Sequence, residues 1–212
     1  MLKVGLTGGI ASGKSAIAGI FVSLGAYLLK ADELAHELML PGKPVYAEVV
    51  RTFGRGILHA DERINRPKLA QLAFGDAAHP PRIQELNSIV HPAVLRAQED
   101  WMEGIGRNHP SAIAMVEAAL ILEAKAEYQF DRLIVVTCSA EQRIQRMAKR
   151  HGISPEAAKR EIERRMAAQL SDEEKIKAAD YVIDNSGTLE NSRERALEIF
   201  AELHREAQSL AN

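Results

Sequence analysis

The sequence predicts an α/β protein of three layers, with a central parallel sheet between two layers of helices. Three observations carry that reading. Short, almost wholly apolar runs recur at residues 2–7, 26–29, 112–116, 132–137 and 181–183. Stretches of helical spacing separate them, and most of those stretches open on a recognisable cap or close on glycine. Strands apolar on both faces belong to sheets covered on both sides, and alternation with helices makes such sheets parallel.

The elements follow in order. Gly8 and Gly9 stop the first strand, and Ile17, Ile20, Phe21 and Leu24 then mark a helix over residues 15–24 that Gly25 closes. A second strand at 26–29 leads into a helix at about 32–40, and Pro41, Gly42 and Pro44 break the chain. From residue 44 to 102 only helices are expected, including a long one through Leu86, Ile89 and Leu95. His91 and Pro92 mark a kink or boundary within it. Strands return at 112–116, 132–137 and 181–183. Between the last two, Ser139 with Gln142 and Ser171 with Glu174 read as capping boxes, and Ser154 precedes Pro155 at a first helical position. A final helix covers about 189–209. In open parallel sheets ligands sit at the carboxyl ends of the strands, which directs attention to the residues after Thr7, Leu29, Val116 and Thr137.

Composition bounds the function. The chain has 212 residues, 46% hydrophobic and 26% charged, which excludes a disordered chain. Its net charge of −2 gives no bulk electrostatic case for nucleic acid or an acidic membrane as partner. Neither a secretory leader nor a membrane span is expected, since no apolar run reaches ~18 residues. The single cysteine, Cys138, fits a reducing compartment, so a cytoplasmic location is expected, and its place at a strand end suits packing. No H-x-x-x-H pair occurs among the seven histidines, and no zinc site is indicated.

Residues 8–15 read GGIASGKS and satisfy G-x-x-x-x-G-K-[ST] between a strand and a helix. That context is what a phosphate-binding P-loop requires. Gly8 and Gly13 let the backbone turn so that successive N–H groups face a phosphate, and the helix start adds its positive end. Lys14 is suited to the β- and γ-phosphates, and the Ser15 hydroxyl to a bound Mg²⁺. The predicted ATP contact is the whole loop: Gly8, Gly9, Ile10, Ala11, Ser12, Gly13, Lys14 and Ser15, with Ala16 following. No guanine-reading N-K-x-D occurs, and the DNSG at 184–187 comes too late for a GTPase switch. The loop also lacks the proline usual in adenylate-type kinases. A small-molecule kinase is the favoured branch. The alternatives are a kinase of another alcohol, such as a nucleoside or shikimate, and a nucleotide-dependent switch.

Beyond the loop, an ordered series of segments resembles the dephospho-CoA kinase family over nearly the whole chain. LTGGIASGKS (6–15), KADELAH (30–36), PGKPVY (41–46) with Phe53 and Gly54, INRPKLAQLAF (64–74) and LNSIVHP (86–92) come in that family's order. RMAAQL (165–170), EEK (173–175) and ADYVIDNSG (179–187) complete it. Three positions depart: Lys30 replaces the first acid of D-A-D, Ala119 a proline, and Ala16 a common threonine. The resemblance implies ATP-dependent phosphorylation of the ribose 3′-hydroxyl of dephospho-CoA, with ATP and Mg²⁺, on a P-loop kinase fold. It also implies a core of 1–31, 107–138 and 170–212, a helical dephospho-CoA-binding insertion at 32–106, and a lid at 139–169.

Individual residues follow. Asp32, after the second strand, is placed beside the sheet edge where the phosphates sit; it either caps its helix or accepts the proton of the attacking hydroxyl, and the resemblance favours the second. Glu117 ends the third strand, either as a Mg²⁺-associated or substrate-facing carboxylate or as an ordinary acid; Glu123 has the weaker case. Arg143, Arg146 and Arg150 share a helix face that is either solvated or closes over the triphosphate, and the resemblance to a kinase lid favours Arg146 for that role. The resemblance further makes His91 and Arg66 substrate contacts. Asn185 either meets adenine or closes a turn.

Overall fold

In the computed structural model, residues 1–75, 80–167 and 169–211 are described. They form five strands, β1 (Leu2–Gly8), β2 (Tyr27–Lys30), β3 (Ile113–Glu117), β4 (Arg132–Thr137) and β5 (Tyr181–Asp184). All pair in parallel, in the order β2-β3-β1-β4-β5. The alternation read from the sequence is therefore the architecture. One placement differs: β3 separates β2 from β1, so the chain leading to Asp32 leaves the sheet two strands from the glycine loop.

Two compact units divide the chain, one of Met1–Lys30 with Trp101–Asn212 and the other of Ala31–Asp100. The first is the sheet unit. Leu2, Val4 and Leu6 of β1 share a face with Ile113 and Met115 of β3, Ile134 and Val136 of β4, and Ile183 of β5. That face packs on Ile17, Ala18 and Phe21 of α1 (Lys14–Ser23) and on Ala196, Ile199 and Leu203 of α9 (Leu189–Ala211). These side chains are all essentially without solvent contact, which makes the sheet a rigid base for the loop leaving β1.

The second unit holds α2 (Ala31–Leu38), α3 (Pro44–Phe53), α4 (Arg66–Phe74) and the first part of α5 (Ile83–Asn108). Its only non-helical pairing among the described residues is a bridge between Leu58 and Ile64, a detail that helical spacing does not encode. α5 runs through Pro92 as one helix, so the boundary suggested at His91 and Pro92 does not exist there. Between β4 and β5 lie α6 (Ala140–His151), α7 (Pro155–Met166) and α8 (Asp172–Ala178). Ser154 caps α7 through Ala157 N, and Ser171 with Glu174 forms a complete capping box on α8. At α6 the box is half made. Ser139 Oγ accepts from Gln142 N, but the Gln142 side chain donates instead to Ser186 O at 2.6 Å.

Candidate active site

The glycine loop begins where β1 ends and α1 starts. Gly8 cannot carry a side chain, because a Cβ there would collide with Val136 O on β4. Gly13 has φ 94°, in the left-handed region, and its Cα faces the Asn185 amide. Ala11 also takes positive φ, 56°.

What holds the loop is a row of protein donors on its carbonyl side. Lys14 Nζ donates to Gly8 O at 2.9 Å and Gly9 O at 3.2 Å. Arg143 Nη1 donates to Ile10 O at 2.9 Å. Arg146 Nη1 reaches Ser12 O at 2.9 Å and Ala11 O at 3.4 Å, and its Nη2 holds Asn185 O at 2.9 Å. Asn185 Nδ2 is a second donor to Ser12 O, at 2.8 Å. Five consecutive carbonyls, Gly8 to Ser12, are thus each bonded to a side chain. In a planar peptide the carbonyl of one residue and the N–H of the next point oppositely. Carbonyls held in this way leave the amides of Ile10, Ala11 and Gly13 pointing away from those donors, an arrangement suited to an anion at the start of α1.

Asn185 is buried at the end of β5, with Oδ1 accepting from Ser192 Oγ at 2.9 Å. Both ends of its amide are engaged inside the protein, so its observed contacts are those of a strut under the loop. Arg143 is only 2% exposed, so the solvated reading of that helix face fails at this residue; Arg143 and Arg146 both reach loop carbonyls, while Arg150 is exposed. Arg143 Nη2 pairs with Asp172 at the start of α8. Cys138 is buried against the loop, its Sγ 3.6 Å from Ala11 O, and burial pushes its thiol pKa up. It is a packing residue.

On the β3 side, Ser15 Oγ donates to Glu117 Oε1 at 2.6 Å. Glu117 is buried, and its Oε2 has no partner. Glu123 lies farther along the same connection, where its Oε1 accepts from Leu170 N at 3.0 Å and pairs with Lys175 Nζ at 2.8 Å. Lys175 is fully buried, a role that its place in an exposed-looking EEK run did not reveal. Breaking one side of a buried pair strands the other charge, so Lys175→Met is expected to cost about 3–5 kcal/mol. Thermal or urea unfolding checks this; a change under ~1 kcal/mol would place the pair among exposed ones.

Comparison with known proteins decides the family. The sequence profile of dephospho-CoA kinase matches residues 2–191. The chain belongs to the dephospho-CoA kinase family. A dephospho-CoA kinase of Leifsonia xyli subsp. xyli is 42% identical over 91% of this chain and 93% of its own length. One from Aquifex aeolicus is 40% identical over 97% of this chain and 100% of its own. Among solved structures, a Thermus thermophilus protein superposes with TM-score 0.77 at 33% identity, covering 95% of this chain and 97% of that one. A shikimate kinase from Acinetobacter baumannii shares the fold, with TM-score 0.51 at 13% identity over 97% of this chain and 94% of that one. As a dephospho-CoA kinase, the chain is a P-loop phosphotransferase with an alcohol group as acceptor and ATP as donor.

The remaining residues singled out from the sequence of this kinase lie in the helical unit. Asp32 is exposed in the first turn of α2, where a carboxylate also suits the helix dipole. Arg66, exposed, opens α4. It lines a cavity of about 360 Å³ with His36, Met39, Leu40, His59 and Arg63. Burial, and then Arg66, push the His36 pKa down against the opposing pull of Asp32 and Glu33. His91 is half-buried on α5 and also pushed down by burial. Both imidazoles are held towards the neutral form. No helix among the described residues is long and apolar enough to cross a membrane.

Proposed function

We propose that the protein transfers the γ-phosphoryl group of ATP to the ribose 3′-hydroxyl of dephospho-CoA, giving coenzyme A and ADP, with the loop at residues 8–16 as its ATP site. The observation that supports the site assignment is the set of five side-chain-bonded carbonyls, an arrangement whose opposed amides suit a phosphate. Phosphoryl transfer needs little covalent work from the protein, so positioning and charge neutralisation dominate. In this reading the amides of Ile10, Ala11 and Gly13 hold the phosphates within the loop at 8–16, and Lys14 neutralises them. Arg146, already anchored at the loop, supplies a second cation at the lid base. Asp32 orients the acceptor hydroxyl and takes its proton. Arg66 meets the anionic acceptor beside its cavity, His91 touches the acceptor nucleotide, and Asn185 supports the nucleotide through the loop. Residues 32–106 form the acceptor-binding insertion and 139–169 the lid.

Mg²⁺ fits the residues present. No cluster of three His, Cys, Asp or Glu side chains suited to a metal exists among the described residues. Mg²⁺ in kinases needs few protein ligands, because it keeps waters and binds phosphate oxygens. The Ser15 hydroxyl and the unpartnered Glu117 Oε2 supply such a partial set. Held there, the cation would supply positive charge against the charge that develops in transfer. Ser15→Ala is expected to raise the Mg²⁺ concentration for half-maximal rate roughly ten-fold, the loss of one contact to a charged group. An unchanged Mg²⁺ requirement removes Ser15 from that role. A cytoplasmic location belongs to the same reading, supported by the single, buried cysteine.

The test is ADP release from Mg²⁺-ATP with dephospho-CoA, shikimate or a nucleoside as acceptor. Stimulation by dephospho-CoA alone is expected. Stimulation by another alcohol instead would keep the fold and move the substrate.

A further inference from the structure

Beside Arg146, a second arginine ties the loop to the helices that follow β4. Arg143, one turn into α6, is 2% exposed, and its guanidinium bonds in two directions. Nη1 donates to Ile10 O at 2.9 Å, and Nη2 pairs with Asp172 at the first residue of α8. A Cβ on Gly9 would collide with Arg143 Nη1 and lie 2.9 Å from Asp172 Oδ1, so the ion pair rests directly against the loop backbone. The Ile10 side chain meanwhile packs into the small apolar cluster of Met147, Ala158 and Ile162 that joins α6 to α7. The Gly9 to Ile10 stretch is held by α6, α7 and α8 together.

We propose that Arg143, neutralised by Asp172, is a positioning residue for ATP: it fixes the Ile10 peptide so that the following amide faces the phosphates. A buried guanidinium is costly unless both its charge and its donors are matched. Here Asp172 matches the charge, and the remaining fork reaches the loop carbonyl. Lysine cannot reproduce this, because one ammonium does not present two donors in a fixed plane. The effect falls on phosphate affinity and not on the acceptor. This proposal rests on the ATP-site reading above.

The test compares wild type with Arg143→Met, Arg143→Lys, Asp172→Asn and the double variant Arg143→Met/Asp172→Asn. Calorimetric Kd values for ATP, ADP and AMP are measured alongside KM and kcat. Arg143→Met is expected to weaken ATP and ADP by roughly ten-fold or more, the loss of a bond to a charged group. AMP affinity and the KM for dephospho-CoA stay near wild type. Arg143→Lys does not restore ATP affinity. The double variant binds ATP no worse than Arg143→Met, since both changes break one device. A purely structural role lowers the melting temperature and the active fraction but leaves ATP Kd alone; that outcome overturns the proposal. Should Arg143→Met not fold, the double variant Arg143→Met/Asp172→Asn decides, because removing both partners leaves neither charge stranded. A several-fold rise in ATP Kd is then expected, and an unchanged value overturns the proposal. Failure of wild type itself to bind ATP would instead refute the ATP-site reading.

Discussion

Lys14→Ala abolishes acceptor-dependent ADP release while the protein stays folded. Lys14 Nζ lies 2.9 Å from Gly8 O and 3.2 Å from Gly9 O, at the base of the amide nest. An ammonium there offsets charge on the transferring phosphoryl group, in a reaction where electrostatic stabilisation is the main contribution of the protein. A cation that stabilises the charge of phosphoryl transfer is worth about 10³–10⁵-fold in turnover. The fold does not depend on it, because α1 is anchored by Ile17, Ala18 and Phe21 against the sheet. Circular dichroism and unfolding midpoints near wild type are expected beside the lost activity. Lys149→Ala, an exposed lysine on α6, retains wild-type turnover and serves as control. Normal turnover in Lys14→Ala would remove the loop lysine from the mechanism.

Asp32→Asn produces the second large effect, and its signature is a split between rate and binding. Asparagine keeps the shape and hydrogen-bonding reach of the side chain but cannot accept the hydroxyl proton. General-base catalysis is worth about 10²–10⁴-fold, so kcat falls by that order while ATP affinity holds. Steady-state kinetics with ATP and dephospho-CoA varied independently measure both. Equal losses in kcat and ATP affinity would make Asp32 a structural residue of α2. Lys30, which stands where the family pattern has another acid, leaves Asp32 as the one carboxylate of the KAD segment. The predicted effect of Asp32→Asn is therefore not shared with an acid at position 30.

The fold was legible because its signal is local. Each strand is a short apolar run, and each cap sits beside the helix that it starts, so the alternating elements could be read in order. Strand order was not legible in the same way. β3 lies between β2 and β1, a pairing made by residues more than eighty positions apart that no local pattern records. The loop was legible as GGIASGKS, but the means of holding it was not. Arg143 looks like one of three helix-face arginines until Asp172, twenty-nine positions on, is seen to neutralise it in the interior. Gln142 was drawn from its capping box to Ser186 O by the same tertiary competition. Lys175 stands in an acidic-basic run, and its interior partners, Glu123 and the Ala119 carbonyl, lie more than fifty positions away. Side chains that bond to backbone carbonyls elsewhere in the chain have no sequence period, so spacing rules miss them.

Product analysis after incubation with Mg²⁺-ATP and dephospho-CoA tests the central claim most directly. Mass detection is expected to show dephospho-CoA gaining one phosphate for each ADP formed, and phosphorus NMR to place it on the ribose 3′-hydroxyl. ADP appearing with free phosphate and unaltered dephospho-CoA, or a phosphate at another position, would contradict the account.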